Sequence, residues 1–109
     1  MTETEFLDLA ESTLNRIEQA FDRLFEQDVV DVECKRSGNV LEIEFVDNGS
    51  KIIVNSQAPL QEMWVAARAG GFHYKRVNDE WRNTRDNTEL FESLSEYATQ
   101  QGGAPVKLG

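Results

Sequence analysis

This sequence is poor in the residues that build compact catalytic or metal centres. It holds one cysteine, Cys34, and one histidine, His73. A lone cysteine excludes an internal disulfide and any CxxC metal or redox motif. A lone histidine without a convergent partner is weak ground for catalysis. Proline occurs twice, and no apolar run approaches the roughly 20 residues that a membrane-spanning helix needs. Gly70-Gly71 lacks the following lysine and helix of a phosphate-binding loop and reads as a turn. The opening Met1-Thr2-Glu3-Thr4-Glu5 has neither the basic nor the apolar region of a secretory signal, so a cytoplasmic location is expected.

What the chain does have is negative charge, unevenly placed. Its 109 residues carry a net charge of −9, a length suited to one domain, 1–109, with one hydrophobic core. Residues 1–33 hold ten acids and two bases, whereas residues 34–109 hold ten acids and nine bases. Such a surface repels nucleic acid and anionic membranes and attracts cations and basic protein patches.

Apolar residues at three- and four-residue steps (Phe6, Ala10, Leu14, Ile17, Phe21, Leu24, Phe25) predict a helix over 5–27 with Thr4 as its cap. Alternation through Val30, Val32 and Cys34, then through Leu41, Ile43 and Phe45, predicts half-buried antiparallel strands. Asn48-Gly49 predicts a two-residue type I′ hairpin. Further strands are expected at 51–54, 60–68, 72–77 and 80–84, with a hairpin at Asn78-Asp79. A second helix is expected over 87–100, with Asp86 and Glu89 as a capping box and a loose tail to Gly109. The order of helix, five to six strands, helix implies an α+β sandwich with both helices on one sheet face and the other face open. Cys34 is in phase with the core. Trp64 is out of phase with Met63 and Val65 and points to the open face, either as an interface anchor or packed in a second minor cluster or under a loop. Trp81 reads as a core anchor.

On the first helix Asp8, Glu11, Glu18, Asp22 and Glu26 share one edge with no base among them. Glu18/Asp22 and Asp22/Glu26 are like-charged i,i+4 pairs, each costing about 0.2–0.5 kcal/mol. Asp28, Asp31 and Glu33 follow, and if the first strand lies beside the helix they extend the edge into a ridge. Carboxylates are hard ligands suited to iron, manganese, calcium or magnesium, and without neighbouring His or Cys such a site would be open and weak. Two readings of this edge remain: a surface for cations or a basic partner, and an ordinary solvated helix face that aids solubility.

The ordered run Asn48-Gly49-Ser50-Lys51-Ile52-Ile53-Val54-Asn55, then Pro59-Leu60, Trp64, Ala66, Gly70-Gly71-Phe72-His73 and Asp79-Glu80-Trp81, resembles the bacterial frataxins, over nearly the whole chain. The resemblance implies two helices packed on one face of a five- to seven-stranded antiparallel sheet. It implies weak binding of Fe²⁺ or Fe³⁺ on a ridge that maps here to Glu11, Glu18, Asp22, Glu26, Asp28, Asp31 and Glu33. It implies a regulatory role in iron–sulfur cluster assembly without catalysis. The implied partners are cysteine desulfurase on the ridge and the scaffold protein on the open sheet face, where Trp64, Asn55, Glu42 and Glu44 lie. A monomer that can oligomerise with iron is expected. The family's aspartate run near the end of the first helix is thinner here, where Asp22-Arg23-Leu24-Phe25-Glu26-Gln27-Asp28 stands. A ferroxidase and an iron store without a specific partner are the rival roles.

Overall fold

The structure, a computed structural model, describes residues 1–108. Helix α1 spans Glu3–Glu26. Six strands follow: β1 (Val32–Ser37), β2 (Val40–Phe45), β3 (Lys51–Gln57), β4 (Glu62–Ala67), β5 (Gly70–Val77) and β6 (Glu80–Asn83), with a 3₁₀ turn at Ala58–Leu60 before β4. Helix α2 spans Leu90–Gly102. The strands pair antiparallel in chain order, so β1 and β6 are the edges. Each strand alternates a core residue with one on the uncovered face, and the buried set joins α1, α2 and the sheet in one core.

The helix ends differ from expectation for local reasons. Thr2, not Thr4, caps α1: its hydroxyl accepts from the Glu5 amide at 3.1 Å and the Glu5 carboxylate accepts from the Thr2 amide at 3.2 Å. This reciprocal box satisfies two otherwise orphaned donors, and the Thr2 amide holds the Glu5 carboxyl below its usual range. Helix α2 begins later than expected because 84–88 folds back onto β6: the Asn83 amide donates to the Thr88 carbonyl and the Asn87 amide to the Asn83 carbonyl. Asp86 accepts from the Thr88 amide, while Glu89 caps α2 through the Phe91 and Glu92 amides.

The type I′ turn falls at Asn78-Asp79, where both φ angles are positive, and not at Asn48-Gly49, where only Gly49 is. Loop 46–50 is longer, closed by the Gly49 amide donating to the Phe45 carbonyl. The tail is not loose. Val106 and Leu108 are buried, held by amide donations to the Thr99 and Ser95 hydroxyls. Gly109, the last residue of that expected tail, lies outside the described residues.

Trp81 is the core anchor expected. It is 2 % exposed, meets Phe6 edge-on, and donates its indole N–H to the Thr13 hydroxyl at 3.0 Å. Phe25, expected in the apolar stripe, is instead half exposed. It stands in the last turn of α1, just before the chain turns through Asp28, at φ 57°, toward β1.

Candidate functional site

The apolar stripe of α1 is pinned to the sheet, which turns the acidic edge outward beside the edge strand β1. Proximity shows in Cys34: burial, then the charges of Asp22 and Glu18, push its thiol up to about 12. The expectation that no cysteine lies near the acidic edge is therefore corrected, although this thiol stays protonated at neutral pH and is a poor ligand or nucleophile.

Seven carboxylates were expected on one ridge, and the structure divides them. Glu11 and Glu18 meet Arg36 of β1, Glu11 at 2.8 Å and Glu18 at 3.9 Å. Arg36 also donates to Asn15 and to the Gly38 carbonyl, so it is a fixed strut that partly neutralises this end. Asp22, Glu26, Asp28 and Asp31 are exposed and enter no ion pair among the described residues. Asp31 stands just before β1, its carbonyl accepting from the Val46 amide at 3.0 Å. Glu33, on β1, alternates with the core-facing Val32 and Cys34 and lies opposite Glu44. It therefore belongs to the uncovered sheet face, around the corner from the helix carboxylates. Among the described residues no three His, Cys, Asp or Glu side chains converge as a metal cage. The edge is an open array of charge.

Asp28 bears a local cost. It occupies the left-handed position after the helix, where glycine is favoured. The Asp28 amide donates to the Phe25 carbonyl and the Val29 amide to the Leu24 carbonyl, which closes the helix end. A carboxylate there also faces the negative end of the helix dipole, unfavourable by about 0.3–1 kcal/mol.

On the uncovered face, Trp64 is half-buried as expected for an out-of-phase residue. Its ring stacks on His73 of β5, centroids 4.2 Å apart and planes 3° from parallel. Its N–H donates to Glu62 at 2.9 Å. Glu62 is buried and also meets His73 Nδ1 at 3.4 Å and Lys75 at 3.8 Å. Sequence reasoning missed Glu62 and His73 here, although the alternation of β4 puts Glu62 on the same side as Trp64. Asn55 lies opposite Trp64 in the β3–β4 register, and Glu42 pairs with Lys51 at 3.2 Å. Glu42 and Glu44 occupy this face at its β1–β2 end. The face and the acidic edge are thus two surfaces meeting along β1.

A sequential antiparallel meander, backed by two helices and bordered by this acidic edge, is the open-faced α+β sandwich of the frataxins. Residues 1–104 match the family model described as a frataxin-like domain, and the chain belongs to that family. It is 63 % identical over 108 residues to the iron-sulfur cluster assembly protein CyaY of Janthinobacterium sp. (strain Marseille), covering 99 % of this chain and 96 % of that one. It is 52 % identical over 109 residues to the protein of the same name from Cupriavidus pinatubonensis, covering 100 % and 97 %. Frataxin from Psychromonas ingrahamii superposes with a TM-score of 0.86 at 31 % identity, over 100 % of this chain and 99 % of that one. A trimeric frataxin from Saccharomyces cerevisiae, complexed with ferrous iron, shares the fold at a TM-score of 0.73 and 24 % identity, over 86 % and 85 %.

Proposed function

We propose that this protein acts in iron–sulfur cluster assembly as a non-enzymatic regulator whose acidic edge takes either ferrous iron or a basic patch of cysteine desulfurase. The observation that carries the reading is the unpaired set Asp22, Glu26, Asp28 and Asp31 at the α1–β1 corner, in a chain whose relatives are named assembly proteins. Exposed like charges with no counter-ion raise the local concentration of cations and steer a basic partner to the surface. Carboxylate oxygens are suitable ligands for iron, and an array without a cage holds it weakly. Iron and desulfurase then compete for one surface, so iron level sets how much desulfurase is engaged. Glu33 and Glu44 carry the same charge onto the uncovered face, where Trp64, Asn55 and Glu42 meet the scaffold. The setting is cytoplasmic and the working unit a monomer that can oligomerise with iron.

The Arg36 strut provides a test. In an anaerobic Fe²⁺ titration of isotope-labelled protein, amides from Glu18 to Asp31 should broaden first. The variant R36Q frees Glu11 and Glu18, so it should extend the broadening to Glu11 and lower the iron concentration needed. Broadening centred away from α1 and β1, or an R36Q response equal to the parent's, would contradict iron binding on this edge.

A further inference from the structure

The half-exposed Phe25 has no role in the core and lies in the middle of the acidic corner. It lines a cleft of about 340 Å³ together with Val30, Asp28 and Asp31. Val46, also exposed, donates its amide to the carbonyl of Asp31, one of the cleft's lining residues. Asp28 and Asp31 form the charged rim of the cleft, and neither enters an ion pair among the described residues. An apolar floor with a charged rim is the anatomy of a binding hot spot: the centre excludes water and supplies the energy, and the rim supplies steering and register.

Resting on the reading of this edge as a partner-docking surface, we propose that the Phe25–Val30 cleft is an anchor pocket for a basic protein segment carrying one large apolar side chain between its Lys or Arg residues. The single sign of the rim selects a basic segment over an acidic one. The cleft has room for one leucine- or phenylalanine-sized side chain. An inorganic cation would satisfy the rim and leave the apolar floor uncovered, so a purely ionic role does not account for Phe25. The pocket gives the edge a means of telling a protein partner from a metal ion.

The probes are two short Lys-rich peptides that differ only by Leu or Ala at the centre, titrated into isotope-labelled protein at low salt. Burial of the leucine should make that peptide bind about tenfold more tightly than its twin, with the largest amide shifts at Phe25 and Val30. The variant F25A, which removes an exposed wall and should keep the parent's melting temperature, should abolish the preference while leaving the salt dependence of binding in place. Equal binding of the two peptides would overturn the pocket and leave the electrostatic edge standing. Failure of both peptides to bind would overturn the pocket and the docking edge together. A Leu preference that survives F25A would place the anchor elsewhere.

Discussion

Reversing three charges at the corner, D22K with E26K and D31K, should weaken cysteine desulfurase binding by about two orders of magnitude. Each carboxylate that meets a basic partner contributes on the order of 1 kcal/mol, and reversal adds repulsion to the loss of attraction. The association rate should carry much of the loss, because steering acts before contact. The fold should not suffer. All three side chains are exposed and outside the described ion pairs. D22K turns the unfavourable Glu18/Asp22 pair into an attractive one, and E26K puts a positive charge at the negative end of α1. Affinity measured alongside a melting curve separates the two effects. An unchanged affinity in a folded variant would remove the acidic edge from the interface.

The two tryptophans should respond in opposite ways. W81A should cost about 3–5 kcal/mol, because it empties a fully packed site under Phe6 and takes the indole donor from the Thr13 hydroxyl. Against a total stability of about 5–15 kcal/mol for a small domain, that brings the protein close to unfolding. W64A should cost about 1 kcal/mol. Its ring is half-buried on the uncovered face, and Glu62 would keep Lys75 and His73 as partners. Its loss should appear instead in scaffold binding. Urea denaturation of both variants checks the stabilities. Equal destabilisation by the two would mean that Trp64 is a structural residue and that the uncovered face is not held for a partner.

Much of this molecule was legible in periodicity. The stripe from Phe6 to Leu24 and the alternation in Leu41–Phe45 each bury one side of an element, and burial is what such patterns encode. The phase of Trp64 against Met63 and Val65 predicted its uncovered face, and the sorting of acids around α1 predicted the edge. Features that depend on distant parts of the chain were hidden. Arg36 is 25 residues from Glu11, so no local pattern shows that it neutralises part of the edge. Glu33 falls on the uncovered sheet face opposite Glu44, a pairing between strands that the local sequence does not show. The start of α2 shifted because the Asn87 and Asn83 amides bond across the loop after β6, which a capping motif cannot reveal. The burial of Val106 and Leu108 came from Thr99 and Ser95 hydroxyls that a helix pattern treats as neutral. Phe25 fitted the helical stripe, yet it stands in the last turn of α1 and half of its side chain stays exposed.

The most direct measurement is the footprint of the desulfurase on this protein, read as loss of amide signals when unlabelled desulfurase is added to isotope-labelled chain. The expected footprint covers Glu18 to Asp31 and the facing end of β1, and it shrinks as Fe²⁺ is added in competition. A footprint confined to the Trp64 face, or one indifferent to iron, would contradict the idea that metal and partner share the α1–β1 corner.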